Sequence, residues 1–421
     1  MVSDTLPTED QRMYAVLRSP GQIVFGRGQR HRIPALVAQR GTRAFIVVDP
    51  FLSAAPVVRD LREGLAAAGV ASEVFDQVVP ELPVSAIATA ARAAAAFGAD
   101  VFVAVGGGSS IDTAKMAAVL AAHGGEVSDY YGEGNVPGPV PPIIAAPTTA
   151  GTGSEVTPVA VITDPVRESK VGVSSPHLIP AVAVLDPELT LSCPPGVTAA
   201  SGADALCHAI ESYTAAKGDP EATASARVFM GSTALTDLLG LEAVRRIAAG
   251  LVRAYRAPDD LEARSLTLYG SLLAGLAFGT AGTAGAHALQ YPVGAVTHTP
   301  HGVGVGLLLP YVMAVNAPAR QAELAHIALA LGAAPADEAD LALQAPRLVQ
   351  ELMSDLDIPT SLADLDFPRE RLAWAAEEGL KAKRLADNNP VPLTAESALR
   401  ILEAAYDGSL TTLLAPIGGT R

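Results

Sequence analysis

The stretch VFVAVGGGSSIDTAK at 101–115 decides the fold class of this chain. Five apolar residues end abruptly at three glycines and two serines, and helical spacing resumes at Ile111. A strand, a glycine-rich turn and a helix in this order are typical of a βαβ unit in a parallel sheet. Such a turn lets the backbone approach a pyrophosphate, and the helix N-terminus offers it free N–H groups. The spacing differs from G-x-G-x-x-G and from a P-loop, so an ordinary turn capped by Ser109 or Ser110 is the alternative.

Strand-like and helix-like segments alternate around this turn. We predict strands over 44–48, 72–75, 143–145, 159–162 and Val182–Leu185, and helices over 53–68, 85–97 and 111–122. After CPPG at 193–196, strand signals almost vanish and helical periods continue to about Tyr406. The 421 residues therefore divide into an α/β domain with a parallel sheet at 1–195 and an all-helical domain at 196–421.

The composition allows a large core and predicts no membrane-spanning segment. Hydrophobic residues make up 49% of the chain and charged residues 17%, and the mean hydropathy is +0.31. Alanine accounts for this positive value. The longest apolar region, at 84–105, is interrupted by Arg92 and Asp100. No run therefore reaches the ~20 uninterrupted apolar residues that a spanning helix needs.

Charge and cysteine content exclude several other classes of protein. The chain carries 29 basic and 44 acidic residues, a formal net charge of −15. This charge disfavours nucleic acid as a partner, because phosphate neutralisation needs clustered Lys and Arg. The two cysteines, Cys193 and Cys207, cannot form a disulfide framework. The polar N-terminus at 1–12 shows no secretory signal, so we expect a reduced, cytoplasmic compartment.

Two further segments have the composition of a nucleotide site. Asp49 follows a predicted strand, where a carboxylate can bind an adenosine ribose and repel a 2′-phosphate, which favours NAD over NADP. A turn-forming Asp before Pro50 is the alternative. The loop PTTAGTGSE at 147–155 is rich in hydroxyls and glycine, and it can donate hydrogen bonds to phosphate or ribose oxygens. A solvated surface loop is the other interpretation of that segment.

A second group of residues has the chemistry of a metal site. Asp204 and His208 stand at i and i+4, so a helix places both on one face. Glu211, three residues after His208, is expected to orient that imidazole. Far along the chain, HALQYPVGAVTHTPHG at 287–302 adds three more histidines. One carboxylate with several imidazoles suits Fe²⁺, Zn²⁺, Co²⁺ or Mn²⁺.

Taken together, these segments resemble the iron-containing alcohol dehydrogenase family, from about residue 20 to residue 406. The resemblance rests on four motifs in the right order: GGGSSIDTAK at 106–115, PTTAGTGSEVTPVAVITDP at 147–165, GADALCHAIESY at 202–213 and HALQYPVGAVTHTPHG at 287–302. It implies an N-terminal dinucleotide-binding domain and a helical C-terminal domain, with the metal in the cleft between them. It also implies NAD(H), a divalent metal (Fe²⁺ first, Zn²⁺ second), a small alcohol or aldehyde substrate, and a homodimer or higher homo-oligomer.

The resemblance also assigns roles to individual residues. The implied metal ligands are Asp204, His208, His287 and His301. The implied cofactor contacts are Asp49, Gly107, Gly108, Ser109, Asp112, Thr148, Thr149, Thr152 and Lys170, and Asp112 also counts among the catalytic candidates.

One position departs from the pattern of the family. Many members carry a histidine of a proton relay four residues after the first downstream ligand, and this chain has Tyr291 there. Tyr291 either hydrogen-bonds the substrate or a water, or only packs. His298 is the second candidate for the relay, with a backbone-bonding loop histidine as its alternative. Tyrosine also occurs at this position in the hydroxyacid–oxoacid transhydrogenase branch, although this chain lacks the insertion of that branch.

Other activities on the same scaffold stay open. A maleylacetate-reductase-like member works without a required metal, and a transhydrogenase-like member is a further possibility. A dehydroquinate-synthase-like lyase needs several basic residues around its polyanionic substrate, and the segments near the expected metal are short of Lys and Arg. A non-catalytic homologue is disfavoured, because the ligand positions and the glycine loop carry competent residues.

Overall fold

A computed structural model describes residues 15–165, 169–219 and 227–414 of the chain. The N-terminal segment 1–12, predicted to lack a secretory signal, lies outside the described residues. The strands are β1 Gln22–Phe25, β2 Arg43–Val48, β3 Ala71–Phe75, β4 Val101–Gly106, β5 Gly132–Glu133, β6 Ile143–Pro147, β7 Val159–Asp164, β8 Ser169–Ser174 and β9 Val182–Leu185. The helices are α1 Ile33–Ala38, α2 Pro56–Ala67, α3 Val84–Phe97, α4 Gly108–His123, α5 Pro195–Thr214, α6 Ala234–Arg256, α7 Leu261–Ala281, α8 Gly285–Thr297, α9 His301–Asn316, α10 Gln321–Ala330, α11 Glu338–Asp355, α12 Leu372–Leu380, α13 Lys383–Asn388, α14 Ala395–Tyr406 and α15 Thr411–Leu414.

The main sheet has six parallel strands in the order β1-β9-β6-β4-β2-β3. Strand β2 has β3 on one side and β4 on the other, so the direction of winding reverses between β2 and β4. In open parallel sheets, ligands bind outside the carboxyl ends of the strands at such a reversal. The topology therefore points to the edge where β2 and β4 end.

Helices cover both faces of this sheet. One buried cluster joins strand residues such as Ile46 and Val103 to Leu61 of α2. The other joins Phe45 and Phe102 to residues of α3 and α4. The alternation of strands and helices predicted from the sequence is confirmed, and central strands buried on both faces explain their continuous apolar runs.

The structure differs from the predicted elements at the start of α4 and in a second sheet. Helix α4 begins at Gly108 rather than at 111, because the last glycine of the stretch and both serines are already helical. A small second sheet in the order β5-β8-β7 was not foreseen as a sheet, and only β7 was predicted as a strand. Strand β5 has two residues and β8 mixes polar and apolar residues, so neither carries a clear strand pattern.

Beyond β9 the described chain is helical. Helix α5 starts at Pro195, where proline suits the first helical turn. Its residues Leu206 and Ile210 share one large buried cluster with Leu308 of α9. The segment His301–Ala319, which contains α9, is long and apolar enough to cross a membrane, a feature the sequence reading overlooked. Of the apolar 18-residue window in this segment, 78% is buried inside the protein, as in the core helix of a globular domain.

Candidate metal and cofactor site

Three helices bring the four predicted metal ligands together. Asp204 and His208 lie one turn apart on α5, and both are buried. His287 lies in the first turn of α8, and His301 is the first residue of α9. The Nε2 atoms of His208, His287 and His301 lie 3.5, 3.6 and 3.7 Å from Oδ1 of Asp204. Three imidazole nitrogens thus face one carboxylate oxygen.

The unpaired polar atoms of this cluster fit a cation. Oδ1 of Asp204 and Nε2 of His287 are buried and have no hydrogen-bond partner among the described residues. Buried polar atoms without partners are costly, and such atoms in native proteins often face an ion or a water. Ligand atoms of Asp204, His287 and His301 all lie within 4.8 Å of one another. One carboxylate with imidazole nitrogens is a donor set that suits Fe²⁺ and Zn²⁺.

The electrostatics keep Asp204, His208 and His301 in ligand form, whereas the carboxylate of Glu211 raises the pKa of His287 well above its usual value against the opposing effect of burial. Burial alone would raise the pKa of Asp204, but the surrounding imidazoles hold it well below its usual range. Burial lowers the pKa of His208 to about 4 and that of His301 to about 3, despite the nearby Asp204 carboxylate. A carboxylate and neutral imidazoles are the protonation states that bind a metal.

Glu211 supports His287 rather than His208. His287 Nδ1 lies 2.7 Å from Glu211 Oε2, and the N–H groups of Ala284 and Ala286 donate to the same carboxylate at 2.8 and 2.7 Å. The expectation that Glu211 orients His208 is therefore wrong. Helix α5 does carry Glu211 one turn beyond His208, but its side chain reaches the start of α8 instead.

A second support, which the sequence did not reveal, is Gln290. His301 Nδ1 lies 2.7 Å from Gln290 Oε1, so the Nδ1–H group of that imidazole donates a hydrogen bond to the amide oxygen. With Nδ1 engaged, the lone pair of Nε2 is directed at Asp204. Gln290 lies in the same motif as His287, three residues later on α8. Its contact with His301 could not be predicted from local spacing, because His301 stands 11 residues further along the chain.

Cys207 lies close to the cluster without being a competent ligand. Ligand atoms of Cys207, Glu211 and His287 also approach within 4.8 Å of one another. Burial raises the pKa of the Cys207 thiol to about 12, so the thiol stays protonated. His287 Nδ1, 3.7 Å from Cys207 Sγ, already bonds Glu211. The group around Asp204 is the better cation site.

The predicted cofactor loops meet at the carboxyl edge of the main sheet. The glycine turn follows β4, and the loop with Thr148, Thr149 and Thr152 follows the neighbouring strand β6. The N–H of Thr148 donates to Gly106 O at 3.1 Å. A Cβ at Gly108 would lie 2.7 Å from Thr152 Cγ2, so glycine is needed for this approach. The turn opens α4, and Ser109 lies in its first turn, half-buried.

Asp49 lies at the same edge, at the end of β2. Its side chain accepts a hydrogen bond from Phe51 N–H at 2.9 Å and caps the turn Pro50–Leu52. The prediction that Asp49 forms a turn is thus confirmed for one of its two carboxylate oxygens, Oδ1. Asp49 is half-buried and borders the glycine turn, because a Cβ at Gly106 would lie 3.5 Å from its backbone nitrogen.

Asp112 holds the neighbouring loop. Ser154 Oγ donates to its Oδ1, and the N–H of Val161 donates to Oδ2 at 3.0 Å. One turn later, Lys115 Nζ donates to the carbonyl oxygens of Thr157 and Val159 at 2.9 and 2.7 Å. Two side chains of α4 therefore clamp the segment that follows the threonine-rich loop. The sequence reading missed Lys115, although it belongs to the same motif.

Of the remaining predicted residues, Lys170 and Tyr291 lie near His301, whereas His298 lies away from the metal cluster. Lys170 Nζ pairs with Glu81 Oε1 at 3.4 Å, and its charge is close enough to lower the pKa of His301 further. The ring of Tyr291 stacks near that of His301 with centroids 6.3 Å apart. His298 is exposed, with φ of 54° at the end of α8, and its ring is not among the imidazoles that face Asp204.

The two halves of the chain meet beside this cluster. Val156, just after the threonine-rich loop, is buried in one cluster with Leu272 and Leu276 of α7. Phe278 on the same helix stacks on His208, with centroids 4.0 Å apart and planes 16° apart. Helix α7 therefore contacts both the segment after the threonine-rich loop, through Val156, and the proposed metal ligand His208, through Phe278.

Comparison with known proteins agrees with this architecture. The family model "Iron-containing alcohol dehydrogenase" matches residues 20–187, and "Fe-containing alcohol dehydrogenase family, C-terminal" matches residues 198–406. Long-chain-alcohol dehydrogenase 1 of Geobacillus thermodenitrificans is 35% identical over 404 residues, which cover 93% of this chain and 98% of that protein.

Solved structures show the same similarity. A 1,3-propanediol oxidoreductase superposes with a TM-score of 0.86 at 31% identity, covering 94% of this chain and 100% of that one. Sulfoacetaldehyde reductase of Bifidobacterium kashiwanohense, solved in complex with NAD+, has a TM-score of 0.81 at 29% identity, covering 93% and 99%. The fold, the sequence and the two family models agree, and these relatives are oxidoreductases. The chain is an oxidoreductase that belongs to the iron-containing alcohol dehydrogenase family.

Proposed function

We propose that this chain transfers hydride reversibly between NAD(H) and a small alcohol or carbonyl compound held at a metal site. The observation that best supports the proposal is the convergence of three imidazole Nε2 atoms, within 3.7 Å, on one buried carboxylate oxygen of Asp204. Buried polar atoms without hydrogen-bond partners, such as Asp204 Oδ1 and His287 Nε2 here, destabilise a fold unless an ion or a water binds them. The site adjoins the cofactor edge of the sheet through Val156 and α7.

We propose Asp204, His208, His287 and His301 as the metal ligands, with Fe²⁺ as the first choice and Zn²⁺ as the second. The chemistry that such a cation supplies is Lewis acidity toward the substrate oxygen. The protein's part is to keep His208 and His301 neutral by burial and to fix the orientation of the imidazoles. Glu211 does so for His287 and Gln290 for His301, each at 2.7 Å.

We propose that NAD(H) lies across the carboxyl ends of β2, β4 and β6. Gly107, Gly108 and Ser109 would present N–H groups of the start of α4 to the pyrophosphate. Thr148, Thr149 and Thr152 would add hydroxyl donors, and Lys170 would approach the ribose near the nicotinamide. The free carboxylate oxygen of Asp49 would accept from the adenosine ribose. The NAD+ complex of the Bifidobacterium relative supports this choice of cofactor.

For the proton that leaves an alcohol, we propose Tyr291 over His298. The ring of Tyr291 is half-buried and stacks near His301, whereas His298 is exposed at the end of α8. A phenol at this place can hydrogen-bond the substrate hydroxyl or a water. We assign Asp112 a positioning role, because its oxygens accept hydrogen bonds from Ser154, just after Thr152, and from Val161 of β7.

A panel of alcohols and aldehydes tests the proposal, with NADH absorbance as the readout and metal analysis of the same preparation. We expect turnover that disappears on exhaustive chelation and returns with Fe²⁺, Zn²⁺ or Co²⁺ to different extents. Full activity in metal-free protein would favour a maleylacetate-reductase-like enzyme. Exchange between a hydroxy acid and an oxo acid without net use of free NAD would favour the transhydrogenase-like alternative. Cyclisation of a polyanionic substrate without net NADH would favour the lyase.

The predictions about partners and compartment stay predictions. We expect a small-molecule substrate, no nucleic acid or membrane partner, a cytoplasmic location and a homodimer or larger homo-oligomer. Strand β1 lies at the edge of the main sheet, where a second copy of the chain could pair with it. Light scattering of the purified protein measures the oligomeric state.

A further inference from the structure

Arg384 on α13 is a cation for which the sequence motifs gave no role. Its Cζ lies 4.1 Å above the ring of Phe229, so the guanidinium stacks on an aromatic face. A Cβ at Gly282 would lie 3.0 Å from its Nη1, and glycine there leaves the guanidinium room. Within residues 15–165, 169–219 and 227–414, Arg384 forms no ion pair and no hydrogen bond. A guanidinium stacked by its face keeps its N–H donors free at its edge.

The guanidinium of Arg384 lies between the ring of Phe229 and the backbone at Gly282 and is open to solvent, and we call this place the cleft. The residue is exposed to solvent, yet burial lowers the pKa of Arg384 against the opposing effect of Tyr291, Glu133 and Glu211. A side chain that is both accessible and surrounded by protein lines a concave surface. A ligand can therefore reach the free donors.

This cleft adjoins the metal cluster on two sides. Tyr291, which is close enough to raise the pKa of the Arg384 guanidinium, lies one turn after His287, and its ring stacks near His301. Gly282, against which the guanidinium rests, donates its N–H to Phe278 O at 2.7 Å, and Phe278 stacks on His208. Arg384 thus lies next to elements that carry or contact three of the proposed ligands.

The nearby carboxylates do not neutralise Arg384. Glu133 Oε1 accepts hydrogen bonds from the N–H groups of Val228 and Phe229. Glu211 accepts from two backbone N–H groups and His287. Both acids are committed to other donors, and neither lies within 4.0 Å of the guanidinium. The positive charge and the free fork of donors face the cleft.

We propose that Arg384 binds an anionic group at the far end of the substrate, so that the enzyme prefers alcohols or aldehydes that carry a carboxylate or sulfonate. The proposal rests on the proposed function, because it takes the cleft beside the metal ligands as the substrate site. A guanidinium matches the planar pair of oxygens of such a group with two parallel hydrogen bonds. Arg384 is then a specificity-determining residue, and the reacting carbon lies at the other end of the substrate.

The test compares an anionic and a neutral aldehyde of similar length, succinic semialdehyde and pentanal, with NADH and the metal-loaded enzyme. We expect the ratio of their kcat/KM values to exceed ten in the wild type. In Arg384→Met the ratio should fall about 100-fold, mostly through KM for the anionic aldehyde. Arg384→Lys keeps the charge but loses the paired N–H donors of the guanidinium, so its ratio should lie between those of the wild type and Arg384→Met. Lys383→Met removes an adjacent exposed cation and should leave the ratio unchanged.

Two results would overturn the proposal: a wild-type ratio near one, or an Arg384→Met variant that slows both aldehydes equally. A merely structural Arg384 would produce the second result, and a thermal melt of each variant identifies a loss of fold. If neither aldehyde is reduced, the proposed function fails. Calorimetric titration of the metal-loaded enzyme with succinate then tests Arg384 separately. Binding by the wild type but not by Arg384→Met supports the anion site, and equal binding by both contradicts it.

Discussion

Nδ1 of His287 lies 2.7 Å from Oε2 of Glu211, and this contact fixes which nitrogen of the imidazole is free. Nδ1 donates its hydrogen bond to the carboxylate, so Nε2 is the nitrogen that faces Asp204 and is available to a cation. The same carboxylate accepts the N–H groups of Ala284 and Ala286 at the start of α8. The buried side chain of Glu211 therefore orients the proposed ligand His287 and also accepts hydrogen bonds from backbone N–H groups at the start of α8.

Replacing Glu211 by Gln should weaken metal binding about 10–100-fold. The variant offers one acceptor oxygen where three donors converge, so His287 loses its fixed orientation. Competition with a chelator of known affinity measures the effect. Glu262→Gln, an exposed glutamate on α7, is the matched control. Equal metal affinity in wild type and Glu211→Gln would show that the contact does not support the ligand.

Removing a ligand and removing its thiol neighbour should have opposite outcomes. We expect His287→Ala to lose bound metal and nearly all activity, because the remaining donors leave the cation incompletely held. Cys207→Ala should keep the wild-type metal content, because its buried thiol has a pKa of about 12 and stays protonated. Elemental analysis of both purified variants gives the metal stoichiometry. Loss of metal from Cys207→Ala would make the thiol a ligand after all.

Asp49 should set the preference for NAD(H). In Asp49→Asn the negative charge is lost, so we expect the ratio of kcat/KM for NADPH over NADH to rise about tenfold. Asparagine is as good a capping residue as aspartate, so the turn at Pro50–Leu52 survives. Asp60→Asn makes the same change on α2 and should leave the ratio as it was. A wild type that strongly prefers NADPH would refute the assignment.

Tyr291→Phe should cost far less than the loss of a metal ligand. If Lewis acidity at the metal does most of the work, we expect kcat/KM to stay within about tenfold of wild type, against a loss above about 1000-fold in His287→Ala. Steady-state kinetics over a pH series measures both. Tyr269→Phe on the surface of α7 is the control for removing a phenol. Equal inactivity of Tyr291→Phe and His287→Ala would make the phenol essential.

Glu155 should make the stability of the protein depend on pH. Burial raises its pKa from 4.5 to about 7, despite the opposing charge of Lys115. An acid with a raised pKa in the folded state stabilises the fold below its unfolded pKa, and that contribution is lost as the pH rises through 7. Relative to wild type, Glu155→Gln should therefore gain stability between pH 4.5 and 7, by at most about 3 kcal/mol.

Urea unfolding of wild type and Glu155→Gln across this range measures the difference in the free energy of unfolding. The exposed Glu377→Gln is the control and should show a flat difference. A flat difference for Glu155→Gln as well would mean that Glu155 ionises in the folded protein as it does in the unfolded chain.

Local patterns predicted the elements that depend on neighbouring residues. The strand at 101–105 and its glycine turn were visible because a buried parallel strand is continuously apolar. Asp204 and His208 were paired correctly because i and i+4 share a helix face. The start of α4 was misplaced because glycines lower the helix signal even where they are helical. The partner of Glu211 was wrong because its spacing to His208 is local, whereas its contact with His287 crosses two helices.

By itself, the sequence determined the fold class, the phosphate-type turn and the set of residues that could bind a metal, since these follow from composition and short spacing. Only the tertiary structure decided that the three imidazoles face one oxygen of Asp204, that Gln290 supports His301, and that Arg384 stands free in a cleft. These relations join residues far apart in the chain. They depend on how α5, α8, α9 and α13 pack against one another. The packing of the whole core sets this arrangement, so no short stretch of sequence shows it.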